Sequence, residues 1–298
     1  MDYKNCTLCP RMCGVDRTAG EKGFCGCGDM ALVAKTMLHK WEEPVLAGSG
    51  GSGAIFFGGC TLGCKYCQNR AISQKPTGTP MDSKTLRQEM ETLIDQGAEN
   101  IDLVTPTQYL PTIIPALSPK LSVPVVYNCG GYERVETIRA LSGLVDIYLP
   151  DMKYADNSLA LQLSGAADYA ETALSAIREM VNQVGPVTFC GEKMERGVIV
   201  RHLILPGQVE NSLRVLDLLG EKFAPGEILV SLMRQYTPMN NVSISGLDRR
   251  LTSREYVRVR DHMLELGLDG YLQQKESATS AYTPAFMDEE SMRLFPEE

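Results

Sequence analysis

Cys60, Cys64 and Cys67 stand together in the run Gly-Gly-Cys-Thr-Leu-Gly-Cys-Lys-Tyr-Cys-Gln-Asn (58–69). Three thiols spaced by three and then two residues can wrap one metal centre, and they leave it one ligand short. Iron–sulfur cubanes ordinarily take four cysteines, and zinc takes four ligands. The loop therefore implies a centre with an open position, where a second molecule can bind and react. The alternative is a structural zinc loop or three unrelated thiols. Zinc fits less well, because its sites come as paired Cys-x2-Cys units with a full ligand set.

A second group, Cys6, Cys9, Cys13, Cys25 and Cys27, opens the chain. The surrounding residues are turn-forming and too poor in apolar side chains to build a core, so a metal staple is expected. Cys6, Cys9, Cys13 and Cys25 form a complete ligand set, with Cys27 as a spare. A closed set suits structural zinc or an electron-transfer cluster, and spacing does not choose between them.

These cysteines must be positioned by regular elements. The run Ala54–Phe57 reads as a buried strand ending in Gly58-Gly59. From there, strand-like runs alternate with helical patterns, which indicates a parallel sheet wrapped by helices. The expected strands are Ala54–Gly58, Ile101–Thr105, Val123–Tyr127, Asp146–Leu149, Val198–Leu205 and Ile228–Leu232. The expected helices are Ser83–Gln96, Gln108–Leu117, Arg134–Leu141, Ala167–Val184, Asn211–Lys222 and Ser253–Leu266, with Asp82 or Ser83 capping the first. Six such units fall short of the eight that close a full barrel, so the expected fold is α/β, a partial (β/α)6 TIM-like barrel. A Cys-rich N-terminal segment (1–47) precedes the barrel (48–275), and a polar tail (276–298) follows it. Ala31–Trp41 is apolar at helical intervals, and the Gly48–Gly53 run reads as a linker or a tight-approach loop. His39 and Trp41 are expected to pack.

Parallel strands send their carboxyl ends to one mouth. Polar residues interrupt those ends at Thr105–Gln108, Asn128–Glu133, Asp151–Lys153, Arg201-His202 and Met233–Tyr236. Buried polar groups cost stability unless paired, so a ligand-binding mouth explains them together. Cys129 and Cys190 are expected to be ordinary buried residues.

Composition narrows the class. The chain has 298 residues, 44% hydrophobic and 22% charged, with a net charge of −8. That surface repels phosphate backbones, so no nucleic-acid partner is expected. Nor is a membrane partner, since no apolar run is long enough to span a bilayer. The ten cysteines, with no signal-like N-terminus, suggest a reducing cytoplasm rather than disulfides.

The loop with Tyr66 before its third cysteine resembles the signature of the radical S-adenosylmethionine (SAM) superfamily, Cys-x3-Cys-x-aromatic-Cys. The resemblance extends to the pyruvate formate-lyase activating enzyme-like proteins through Cys60–Asn69, Asp151-Met152-Lys153 and Arg201–Gly207. It implies a partial barrel in which the three cysteines hold a [4Fe-4S] cluster whose fourth iron is chelated by SAM. By the same resemblance, Lys153 and Arg201 hold the SAM carboxylate, and Asp151 orients its methionine or ribose portion. Thr105–Gln108 replaces the family's Gly-Gly-Glu, leaving Thr105 or Thr107 for the SAM amino group. Gln235 or Tyr236 replaces a ribose-contacting histidine, and Asn128 and Tyr66 complete the cofactor-binding set.

The implied activity is oxidoreductase chemistry: reductive cleavage of SAM to a 5′-deoxyadenosyl radical that abstracts hydrogen, with activation of a glycyl radical enzyme as the particular case. The implied partners are a flavodoxin- or ferredoxin-type electron donor and a protein substrate. The alternatives are a radical SAM enzyme acting on a small molecule or peptide, and an iron–sulfur electron carrier or binding module.

Overall fold

The computed structural model describes residues 1–238, 244 and 246–273, so the expected tail at 276–298 lies outside the described residues. After the cysteine-rich head come β1 (Ala31–His39), the short helix α1 (Pro44–Ala47) and β2 (Ser52–Phe57). The cysteine loop leads to α2 (Arg70–Ser73), β3 (Thr79–Met81) and α3 (Ser83–Asp95). Alternation continues through β4 (Ile101–Val104), α4 (Leu110–Ala116), β5 (Val125–Cys129), α5 (Val135–Arg139) and β6 (Ile147–Pro150). Then follow α6 (Asn157–Ser164), α7 (Tyr169–Val184), the hairpin β7 (Thr188–Cys190) and β8 (Lys193–Leu203), and α8 (Val209–Lys222). The described chain closes with β9 (Leu229–Met233), α9 (Ser253–Glu265) and β10 (Gly270–Leu272).

The sheet runs β10-β9-β8-β6-β5-β4-β2-β1-β3, with β7 beside β8 off this path. Along this path every step from β2 to β10 is parallel, while β7 pairs with β8 antiparallel. The α/β partial barrel is therefore as expected, with all six strands present and the helix ends moved by a residue or two. Asp82 caps α3, its carboxylate accepting from the Thr85 amide at 2.8 Å. A seventh parallel strand, β10, was not legible in the sequence.

The helix expected over Ala31–Trp41 is instead β1, antiparallel to β2 from Val33↔Phe57 to His39↔Ser52. A register shift between Val33 and Lys35 explains the misreading. Buried positions on β1 fall at 31, 33, 36 and 39, because the bulge inserts a residue and turns a period of two into a helix-like spacing. The Gly48–Gly53 run is a tight-approach loop. A Cβ on Gly50 would lie 2.2 Å from the Gly97 carbonyl oxygen.

Alternate residues of the parallel strands face opposite ways. Ile55, Phe57, Leu103 and Tyr127 join the core beneath the helices. Val126, Ile147, Leu149 and Ile199 point to the concave side, where Leu46 of α1 packs against them. The mouth lies at the opposite, carboxyl ends of these strands.

Candidate active site

At that mouth a cavity of about 230 Å³ is lined by Cys60, Cys64, Cys67 and Tyr66 together with Thr105, Thr107, Asn128, Asp151, Lys153, Arg201 and Gln235. Residues from the ends of five parallel strands thus converge on the cysteine loop, as their spacing predicts. Three neighbours of those residues do not converge. Gln108 is buried beside the cavity, where its Nε2 donates to the carbonyls of Gly58 and Gly59 at 3.2 Å and of Thr105 at 2.8 Å. It holds the loop's backbone rather than lining the mouth. His202 faces the helices, bonded to the Met152 carbonyl at 2.7 Å and to Ser212 Oγ at 2.9 Å. Tyr236 is buried and donates to the Leu247 carbonyl at 2.7 Å.

The turn that presents the cysteines depends on glycine. Gly59 has φ +79°, and a Cβ there would lie 2.2 Å from Cys27 Sγ. Each loop sulfur accepts a hydrogen bond: Cys60 from the Leu62 amide at 3.3 Å, Cys64 from Ser164 Oγ at 3.1 Å and Cys67 from Ser73 Oγ at 3.4 Å. Tyr66 backs the loop and accepts from the Tyr154 hydroxyl at 2.9 Å. Burial pushes the Cys60 thiol up to about 12. Ligation requires the thiolate, so binding a metal there must release a proton. Among the described residues, no three His, Cys, Asp or Glu side chains are grouped so as to hold a metal ion as they stand. A cubane spreads its ligands over several irons, a wider arrangement than one ion needs.

Opposite the loop lies a half-buried charged trio. Asp151 pairs with Lys153 Nζ and, at 3.0 Å, with Arg201 Nε. Arg201 also meets Asn128 Oδ1 at 2.5 Å and Glu42 Oε1 at 3.5 Å. Burial alone would raise the Asp151 pKa, but Lys153 and Arg201 outweigh it and hold the carboxyl below its ordinary value. Thr105 adopts φ +59°, a genuine outlier for a β-branched residue and the kind of strain that collects at functional sites.

Glu133, expected at the mouth only as the end of the Asn128–Glu133 run and given no role of its own, lines this cavity and is only 1% exposed. Thr107 Oγ1 donates to its Oε1 at 2.7 Å, while Oε2 has no hydrogen-bond partner. Burial pushes its carboxyl up to about 8. The available signal was an acid at the end of a glycine-rich turn after a buried strand.

The head is bound to this loop from outside. Arg11 Nε donates to the Thr61 carbonyl at 3.1 Å, and Nη2 to the Ser164 carbonyl at 2.8 Å. Cys6, Cys9, Cys13 and Cys25 line one small cavity with Arg17, Phe24, Thr61 and Gln108. Thr61 also lines the larger cavity. A hydrogen bond from Cys27 holds the Cys25 thiol below its ordinary value. Cys27 itself is fully buried and donates to the Gly58 carbonyl at 3.7 Å. Of the two remaining cysteines, Cys129 is buried as expected, but Cys190 is exposed on β7. Trp41, expected to pack, is 65% exposed, whereas His39 is buried edge-on to Phe56.

A family model described as a 4Fe-4S single cluster domain matches residues 46–105, the stretch that carries β2, the cysteine loop and β4. An uncharacterised protein of Methanocaldococcus jannaschii is 28% identical over 278 residues, covering 90% of this chain and 76% of that protein. A radical SAM methyltransferase from Sphaerobacter thermophilus matches with a TM-score of 0.51 and 14% identity, over 74% of this chain and 64% of the methyltransferase. SuiB from Streptococcus suis, solved with SAM bound, matches with a TM-score of 0.52 and 12% identity, over 76% of this chain and 50% of SuiB. The chain thus spans under two thirds of either structure. Its fold is similar to that of the methyltransferase and of SuiB.

Proposed function

We propose that this chain binds a [4Fe-4S] cluster at Cys60, Cys64 and Cys67 and uses it to cleave SAM reductively for hydrogen abstraction from a substrate. The observation that carries this reading is one cavity in which a ligand set one short faces groups complementary to both ends of an amino acid. Bound there, the cluster and SAM supply the electron and the hydrogen-abstracting radical. The chain's own residues bind and orient. Arg201 and Lys153 would take the SAM carboxylate, and a guanidinium fork suits a carboxylate in two places. Asn128 steadies Arg201, while Asp151 and Gln235 would reach the methionine and ribose portions. The Glu133 carboxyl, whose Oε2 has no hydrogen-bond partner, fits an ammonium group and would hold the SAM amine with the Thr105 and Thr107 oxygens. It takes the place of the acid missing from Thr105–Gln108. Gln108, behind the loop, keeps the cradle rigid.

In the same reading, the reaction is oxidoreductase chemistry in a reducing cytoplasm, fed by a flavodoxin- or ferredoxin-type donor. The substrate is a glycine on a partner protein, or alternatively a small molecule or peptide. Cys6, Cys9, Cys13 and Cys25 would hold a second centre, zinc or iron–sulfur. An electron carrier alone would have no use for the amino-acid-binding groups around the cavity.

Anaerobic reconstitution with iron, sulfide, SAM and dithionite, followed by chromatography, should yield 5′-deoxyadenosine. A yield no greater than that of Cys64→Ala would sink the reading. Iron and zinc analysis of Cys9→Ala/Cys13→Ala then identifies the head's metal.

A further inference from the structure

Arg11 stands between Cys9 and Cys13, two of the four head cysteines. The turn that presents it is tight: the Met12 amide donates to the Cys9 carbonyl at 3.0 Å, and Met12 has φ +42°. A metal ligated by Cys9 and Cys13 would clamp both ends of this turn, and Arg11 with it.

The guanidinium leaves the head and reaches the other cysteine group. It lies 3.9 Å from the centre of the Phe24 ring and 5.3 Å from that of Tyr132. Nε donates to the Thr61 carbonyl at 3.1 Å and Nη1 to the Gly165 carbonyl. Nη2 donates to the carbonyls of Ser164 at 2.8 Å and Leu62 at 3.4 Å. The last two residues touch the loop sulfurs themselves. The Leu62 amide donates to Cys60 Sγ at 3.3 Å, and Ser164 Oγ donates to Cys64 Sγ at 3.1 Å. One side chain from the head thus fixes the backbone of both residues that bond these two sulfurs. A hydrogen bond to a cluster's sulfur ligand favours the reduced cluster, since the added electron makes the sulfur a stronger acceptor, and so it raises the reduction potential.

We propose that Arg11 couples the two cysteine groups: metal in the head holds Arg11 in its grip, and that grip sets the reduction potential of a cluster held by Cys60, Cys64 and Cys67. Arg11 touches neither sulfur and acts as a positioning residue through Leu62 and Ser164. The proposal rests on both groups being metal centres, but not on the cleavage of SAM. Emptying the head then lowers the potential of the loop cluster. By linkage, reducing the loop cluster tightens metal binding in the head.

A redox titration of the reconstituted full-length protein, followed by electron paramagnetic resonance, reads this coupling. The loop's signal is the one that Cys64→Ala loses. Arg11→Ala should shift its midpoint to lower potential by roughly tenfold in the ratio of oxidised to reduced protein, or about 59 mV for one electron. Cys9→Ala/Cys13→Ala, which empties the head, should shift it in the same direction. All three substitutions together should add little to Arg11→Ala, because the head acts through Arg11. An unchanged midpoint in Arg11→Ala overturns the proposal, and so do shifts that simply add. If Cys9→Ala/Cys13→Ala fails to fold, Phe24→Ala takes its place in the same cycle, removing an exposed ring that steadies Arg11 and ligates nothing. Metal content separates the two readings. A double-cysteine variant that keeps the parent's metal refutes the head centre, and the coupling with it. One that loses metal but keeps the midpoint refutes the coupling alone.

Discussion

At the scale of single residues, Glu133 is the most consequential side chain after the cysteines. Glu133→Gln keeps the shape and removes the charge. Isothermal titration of SAM into the reconstituted protein should show affinity down roughly 10- to 100-fold, the worth of a hydrogen bond to a charged group. The same carboxyl predicts a pH dependence of stability in the protein without ligands. Burial raises it from 4.5 to about 8, so the folded chain holds a proton there that the unfolded chain gives up. Its contribution to stability is complete below about pH 4.5 and is lost as the pH rises through about 8. Melting temperatures compared across this range should show Glu133→Gln gaining on the parent chain as the pH rises. A constant difference would contradict the burial argument. The cysteine triplet was legible because its spacing is local chemistry. Glu133 was not, because its role arises from the pairing of β4 with β5, which brings Thr107 and Glu133 within 2.7 Å across 26 positions of sequence. Gln108 misled for the converse reason: adjacent in sequence to the cavity wall, it points at carbonyls behind it.

At the scale of elements, the corner after β2 decides whether the loop can form. Gly59→Ala would press a methyl group onto Cys27 Sγ at 2.2 Å and put a side chain at φ +79°. Purified Gly59→Ala should therefore incorporate far less iron than the parent chain, measured by metal analysis after the same reconstitution, and equal loading would refute the steric account. The strands and helices of the body were readable because buried parallel strands are continuous apolar runs bounded by turn residues. β1 escaped, since a single bulge gives a strand the spacing of a helix. β10 escaped as well, being only Gly270–Leu272 with Leu272 exposed. Outside the barrel, Arg11→Ala should free the cysteine loop from the head, at a cost of roughly 1.5–3 kcal/mol for a charged hydrogen bond lost. Hydrogen exchange at residues 61–64 should rise correspondingly.

At the scale of the molecule, the head is hydrogen-bonded to the barrel at several points. Tyr3 bonds Thr112 at 2.7 Å, Arg17 reaches the Gln108 carbonyl at 2.6 Å, and Arg134 and Thr137 hold the Thr7 and Leu8 carbonyls at 2.6 and 2.8 Å. β1, which follows the head directly, is hydrogen-bonded into the barrel's sheet. Calorimetry of the described protein should accordingly give one cooperative transition, and two resolved peaks would show the head unfolding on its own. This join was illegible in the sequence, where a cysteine-rich stretch reads as a separate appendage. Its chemistry has a further consequence. Arg11, Arg17, Arg134 and Thr137 all grip main-chain carbonyls, and every residue supplies a carbonyl whatever its side chain. These contacts therefore recognise the course of the backbone, whereas the Tyr3–Thr112 bond joins two side chains. Exchanging Thr7 leaves its carbonyl bond in place, whereas Leu8 and Thr61 are buried and Gln108 holds the loop's backbone through its side chain. At the carbonyl contacts alone, the two halves of the molecule can differ in composition and still fit.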